Sequence, residues 1–156
     1  MDSNTYLILR FVHIISAMVF FGLPFTFGRW YRAGLVGKDR QFMLESLQKM
    51  KTFLMVHMNL TGAIALGTGI FLAVQLNLFA PGGQKWVHAA PLLMILSLLN
   101  INLFLAKPMT NVIKALQAGG DTGEQEVALR KRIAAFSGIQ HTLVTILTIF
   151  MVFKPF

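Results

Sequence analysis

Four histidines are the side chains of this sequence best suited to chemistry in an apolar environment. Each falls in a different apolar stretch, near the start of that stretch, at His13, His57, His88 and His141. An ionisable side chain inside a membrane segment is costly, so its presence indicates a function by default. The alternative is an ordinary role, as an interhelical hydrogen-bonding residue or, for His88 beside Trp86, as an amphipathic residue at the membrane interface.

Haem ligation is the chemistry that imidazoles can share across an apolar helical bundle. Haem iron takes axial histidines, and the macrocycle needs a hydrophobic slot. Zinc usually takes four ligands that include cysteines or carboxylates, but the chain has no cysteine and every Asp and Glu lies outside the apolar stretches. The lack of cysteine also excludes disulfides, thiolate catalysis, iron–sulfur clusters and c-type haem attachment. The pattern therefore favours haem b.

The elements that must position these histidines are long apolar stretches. The chain has 156 residues, of which 55% are hydrophobic and 13% are charged, whereas soluble domains carry about 25% charged residues. A membrane helix needs roughly 20 mostly apolar residues, and the stretches 6–28, 52–76, 86–106 and 134–153 meet this requirement. The sequence predicts one all-α domain over residues 1–156, an integral membrane four-helix up-and-down bundle.

The basic residues between the spans predict the orientation of the bundle. Positively charged loops stay in the cytoplasm. The short loop between the second and third spans has only Lys85. The other two loops carry Arg29, Arg32, Lys38, Arg40, Lys49, Lys51, Lys107, Lys114, Arg130, Lys131 and Arg132. Both termini should therefore be extracytoplasmic, in a bacterial inner membrane, and this topology rather than a nucleic-acid partner explains the net charge of +8.

Depth along the helices predicts how the histidines pair. Counted from the start of each predicted span, His57 and His141 lie about 8 and 10 Å deep on the cytoplasmic side. The other two, His13 and His88, lie on the outer side, with a poorer match in depth. The sequence thus predicts one or two bis-histidine haems, with Arg10 available to pair with a haem propionate.

Three further patterns bear on packing. A run of small residues in the second span either makes room beside a flat ring or serves close helix packing alone; it comprises Gly62, Ala63, Ala65, Gly67 and Gly69. An amphipathic extension of the second helix is predicted from the helical spacing of Phe42, Met43, Leu47 and Met50. Interhelical hydrogen bonds are predicted for Asn59, Asn100, Asn102 and Gln140.

Three segments resemble a known family. They are "HIISAMVFFGL" in the first span, "KWVHAAPLLMIL" opening the third span and the terminal "VFKPF". Together they resemble the HemJ family of membrane protoporphyrinogen IX oxidases, within the superfamily that includes CopD-like copper-resistance proteins. The resemblance covers all four spans. It implies a four- or five-helix membrane protein that binds haem b, with His13 and His88 at the positions of the family's histidines.

The sequence also departs from that family pattern. Ala90 stands where HemJ proteins have a lysine, and "SGIQHT" replaces an Asn-Glu pair followed by proline and threonine at the start of the last span. His57 and His141 have no counterpart in the pattern. These differences favour a haem-carrying relative over the oxidase itself.

We therefore expect a b-type cytochrome that transfers electrons between a quinol or another membrane donor and a redox partner. The alternatives are a HemJ-like protoporphyrinogen IX oxidase, and a non-redox accessory or copper-handling membrane subunit. The expected surroundings are the lipid bilayer, with a possible homo-oligomer or larger membrane complex.

Overall fold

The computed structural model describes residues 2–24, 26, 39–81, 84–119 and 122–154, and this part of the chain is helical without strands. Four helices are long and apolar enough to cross a membrane: α1 (Ser3–Gly22), α2 (Arg40–Gln75), α3 (Trp86–Gln117) and α4 (Gly123–Phe153). The predicted all-α fold with four spanning helices is confirmed. The end of the first predicted span, at residues 25 and 27–28, and the loop residues Arg29, Arg32 and Lys38 lie outside the described residues.

Three of the helices extend well past the predicted spans at the ends that the sequence predicts to be cytoplasmic, which are called the inner ends below. Helix α2 has 36 residues and is therefore about 54 Å long, whereas a bilayer core of about 30 Å needs only some 20 residues. Its first part, Arg40–Thr52, buries Met43, Leu47 and Met50, which confirms the predicted amphipathic extension. Phe42 is the exception, because its side chain is 44% exposed.

The extensions of α2 and α3 pack against each other. Arg40 joins them, since its guanidinium Nη2 and Nε donate to the carbonyl oxygen of Leu116 at 2.6 and 3.1 Å. The Leu116 carbonyl also accepts from the Gly119 amide at 3.2 Å, and Arg40 adds a positive charge at the carbonyl end of the α3 extension. The inner ends of the two helices are thereby tied together.

Polar side chains join the helices inside the apolar region. Asn59 on α2 and Asn102 on α3 exchange amide hydrogen bonds of 3.0 and 2.8 Å. Asn100 donates to the Oε1 atom of Gln140 on α4 at 3.0 Å, and Gln140 donates in turn to Ser97. The interhelical hydrogen bonds predicted for Asn59, Asn100, Asn102 and Gln140 are confirmed. The two π-helical segments, Phe53–Met58 in α2 and Asn100–Ala106 in α3, pack together beside these contacts.

Each helix packs on its neighbour in the chain, α1 on α2, α2 on α3 and α3 on α4. No extensive contact joins α1 to α4 among the residues that the structure describes. The fully buried large side chains concentrate in the inner half of the bundle; they include Phe20, Leu54, Met58, Ile101 and Leu105. The inner half is therefore closely packed, and the outer half contains a cavity.

The orientation of this bundle leads to a first testable prediction. A reporter fused after Phe156 should be active outside the cytoplasm, and a reporter fused at Gly119 should be active inside, because the Lys- and Arg-rich loops remain in the cytoplasm. Each of the two sites should be fused to two reporters, one active only in the periplasm and one active only in the cytoplasm. The two signals at a site then control for each other. A cytoplasmic signal at the C-terminus would contradict the four-span topology.

Candidate functional site

A cavity of about 350 Å³ lies between the outer halves of the four helices. Every helix contributes to its wall, and its lining is mainly apolar, with Ala17 and Phe21 from α1, Leu72 from α2, Met94 from α3 and Leu147 from α4. Ligand pockets commonly have volumes of about 300–1,000 Å³ and combine apolar walls with a few placed polar groups. The cavity has these features, so its polar residues are the candidates for function.

His13 is the histidine that lines this cavity. Its Nδ1 atom lies 2.9 Å from the carbonyl oxygen of Ala65 on α2 and 3.2 Å from the hydroxyl oxygen of Thr68. A carbonyl oxygen can only accept, so Nδ1 carries the proton. In the neutral ring, Nε2 is then the basic nitrogen. A hydrogen bond from Nδ1–H to a backbone carbonyl is the support that orients histidines as metal ligands.

Gly69 makes the space for the His13 ring. A Cβ atom at this position would lie 2.8 Å from Cε1 of His13 and 3.3 Å from its Nδ1. Real Cβ atoms do not approach other heavy atoms so closely, so an alanine here would displace the ring or its hydrogen bond to Ala65. Gly69 thus makes room for the imidazole of His13, whereas the predicted room beside a haem ring stays a prediction.

The remaining small residues of α2 divide between the two sides of the helix. Gly62 faces Phe20 and Leu98, so it serves close helix packing. Ala63 and Gly67 are exposed, and nothing lies within 4 Å of a Cβ placed on Gly67. Ala63 and Gly67, two members of the predicted run of small residues, therefore face away from the packed interior.

The outer end of the cavity is basic. Arg10 and Lys154 line it from α1 and from the end of α4, and none of its described lining residues is acidic. Trp86 closes part of the same end and donates from Nε1 to Oε1 of Gln84 at 2.6 Å. Guanidinium and ammonium groups suit carboxylates, so an apolar ligand with carboxylates at one edge matches this arrangement.

The other three histidines do not line the cavity. His88 is exposed, and its ring packs edge-on against Phe79, with centroids 5.1 Å apart. His57 is exposed and stacks on Phe53 at 4.5 Å. His141 is half-buried on α4. No group of three His, Asp or Glu side chains converges within the described ranges.

Comparison with known proteins identifies a family. A family model described as "Predicted integral membrane protein (DUF2269)" matches residues 7–155. The chain belongs to the DUF2269 family. It is thus a multi-pass integral membrane protein, in agreement with its four spanning helices. No curated protein and no solved structure matches the sequence, and the comparisons contain no evidence for kinship with HemJ or CopD.

In this DUF2269 protein, the structure changes the depth estimates for the inner histidines. Counted from the outer ends of their helices, Gln75 and Phe153, His57 lies about 27 Å deep and His141 about 18 Å deep. The segment around His57 makes no extensive contact with α4 among the described residues. The structure therefore does not bring His57 and His141 to a common level.

The sequence pattern indicated no role for two residues of this DUF2269 protein, Lys154, which lines the cavity, and Thr68, which contacts the His13 ring. Lys154 lies at the cavity end, although in the sequence it stood out only within the terminal "VFKPF" segment. Thr68 lies beside the His13 ring and donates its own hydroxyl to the Ile64 carbonyl at 2.6 Å. The alternating direction of the spans was the available signal, because it places Arg10, near the start of α1, and Lys154, at the end of α4, on the same side of the bundle.

Proposed function

We propose that this protein binds one haem b in the outer cavity and transfers electrons near the outer face of a bacterial inner membrane. The observation that carries the proposal is His13, a cavity-lining imidazole whose Nδ1–H is held by the Ala65 carbonyl. This contact leaves Nε2 as the nitrogen available for coordination. When bound there, haem b would supply reversible one-electron transfer.

A lone histidine suits haem better than a bare metal ion. Haem brings its own four nitrogen ligands, so the protein needs to supply only one or two axial groups. A zinc or copper ion needs a larger set of protein ligands. The cavity also contains the thioethers of Met94 and Met151, and methionine is the partner of histidine in c-type cytochromes. These two residues are the candidates for a second axial ligand.

The remaining cavity residues would hold and enclose the group. Arg10 and Lys154 at the outer end match the two propionates in charge. The apolar wall, which includes Phe21 and Leu147, would exclude water and so contribute to the redox potential. A quinol or a membrane redox protein is the proposed electron donor.

The two alternative functions are less well supported by these residues. Ala90, at the position where the HemJ-like pattern has a lysine, is buried in the cavity wall, so the cavity lacks that polar group for porphyrin chemistry. A copper-handling role would have to use His13 with the thioethers of Met94 and Met151, which suit Cu(I), because no cluster of three His, Asp or Glu side chains is found among the described residues. A second haem between His57 and His141 remains a prediction that their different depths disfavour.

The test is the haem content of the detergent-purified protein and of four single variants. Wild type should show a reduced-minus-oxidised haem b spectrum with one haem per chain. His13→Ala should lose most of this haem, because the axial nitrogen is gone. His57→Ala, His88→Ala and His141→Ala should retain it, and they are the matched controls for removal of an imidazole.

Two outcomes would refute this proposal. Wild-type protein that lacks haem after expression with sufficient haem supply would remove the haem function. A wild type with two haems, one of which disappears in His57→Ala or in His141→Ala, would restore the transmembrane pair of bis-histidine haems in place of the single site.

A further inference from the structure

A second groove lies at the inner end of the bundle, far from the His13 cavity. It has a volume of about 480 Å³ and runs between the inner extension of α3 and the beginning of α4. Pro108, Val112 and Leu129 form an apolar floor, and Lys114 and Arg132 stand at its edges. The cytochrome function proposed above gives this groove no role.

The depth of the groove corresponds to the inner headgroup region of a bilayer. Arg132 lies 21 residues before Phe153, which places it about 31 Å from the outer end of α4, at the inner limit of a hydrocarbon core about 30 Å thick. Lys114 lies about 42 Å along α3 from Trp86, or somewhat less with helix tilt. The two basic residues therefore bracket the level at which lipid phosphates lie.

The charge of the groove is uniformly positive or neutral. Lys114 and Arg132 are exposed, none of the described lining residues is acidic, and the nearby carboxylate of Glu126 accepts from the hydroxyl of Thr122. Arginine binds phosphate with two parallel hydrogen bonds, and lysine adds a mobile positive charge. Asn111 and Gln125 also line the groove and offer neutral amide donors for glycerol or ester oxygens.

We propose that this groove binds the headgroup of an anionic phospholipid in the inner leaflet. The basic edges match the phosphate, and the apolar floor matches the first part of an acyl chain. Basic pockets between helices on the cytoplasmic side are suited to anionic headgroups. A soluble phosphate compound would leave the apolar floor without a partner, and this feature favours a lipid. The inference is independent of haem binding.

The test is native mass spectrometry of the purified full-length protein, titrated with phosphatidylglycerol or with phosphatidylcholine of the same acyl chains. Wild type should bind the first phosphatidylglycerol about tenfold more tightly than phosphatidylcholine. Lys114→Gln/Arg132→Gln should lose this preference. Arg130→Gln/Lys131→Gln is the matched control, because it removes the same charge from exposed residues of the first part of α4 that do not line the groove.

The control variant should keep the preference to within about twofold. Equal loss of preference in both double variants would overturn the proposal, since it would reveal general attraction to a basic surface. Displacement of phosphatidylglycerol by an equal concentration of glycerol phosphate would also overturn it, because the site would then recognise a soluble anion. Helix content and elution volume verify folding, and the single variants Lys114→Gln and Arg132→Gln each test the site if the double variant is unstable.

Discussion

Gly69→Ala is expected to weaken haem binding by about tenfold or more, because disturbing the group that orients a metal-ligating histidine typically costs 10- to 100-fold in affinity. The new methyl group would lie 2.8 Å from Cε1 of His13. The ring would have to rotate or shift, and its 2.9 Å contact with the Ala65 carbonyl would lengthen. The measurement is haem content after purification, together with the midpoint potential of any haem retained.

Gly67→Ala is the matched control for this experiment. It lies two residues earlier on the same helix, and a Cβ there meets nothing within 4 Å. Both substitutions gain about 0.8–1.0 kcal/mol of intrinsic helix propensity, so a difference between them reports the contact with His13. Equal haem content and equal potential in the two variants would contradict the assigned role of the His13 ring, even if wild type binds haem.

The four spanning helices could be predicted from the sequence because hydrophobic length is a strong and local signal. Their inner ends could be predicted less well. Hydropathy identifies the part of a helix that lies in lipid, whereas α2 and α3 continue as Arg40–Thr52 and Lys107–Gln117 beyond it. These segments are stabilised by packing against each other, and amphipathic periodicity indicated a packed face only for the extension of α2.

The sequence predicted the residue type of the candidate site, histidine, but not which of the four histidines lines the cavity. Composition and depth kept all four histidines as candidate ligands, since neither reports the rotation of a side chain about its helix axis. This rotation decides which histidines face the cavity. Trp86 and Ala90 line the cavity, but His88, between them in sequence, points to another side of α3 because successive residues turn by about 100°.

The predicted depths of His57 and His141 were counted from the starts of the predicted spans, and this reference point has a physical weakness. The predicted spans began at residues 52 and 134, but the helices begin at Arg40 and Gly123. The starts of these two helices therefore do not mark a membrane boundary. The outer ends are better reference points, because the chain leaves each helix there. Measured from them, the apparent match in depth between His57 and His141 becomes a difference of about 9 Å.

Gly62→Ala is expected to destabilise the bundle by up to about 2 kcal/mol, because an overpacking cost of about 1–3 kcal/mol is reduced by about 1 kcal/mol of helix propensity. A Cβ on Gly62 would lie 2.8 Å from Cδ2 of Leu98 and 2.9 Å from Cε2 of Phe20. Leu98 is partly buried and can adjust its terminal methyl group. Phe20 has no exposed surface, so its ring has no open direction in which to move.

The clash therefore falls where α1, α2 and α3 meet, and a double-mutant cycle can locate it. Unfolding should be measured for Gly62→Ala, Phe20→Leu and the combined variant, with Gly67→Ala as the control for the added methyl group. The smaller leucine makes room for the new Cβ, so the combined variant should be more stable than the sum of the two single effects predicts. Strict additivity, or a Gly67→Ala variant destabilised as much as Gly62→Ala, would show that the cost arises elsewhere than at the Phe20 ring. A combined variant more stable than that sum would show that Gly62 sets the contact between α2 and the Phe20 ring of α1, about two turns along the same interface from the contact between Gly69 and His13.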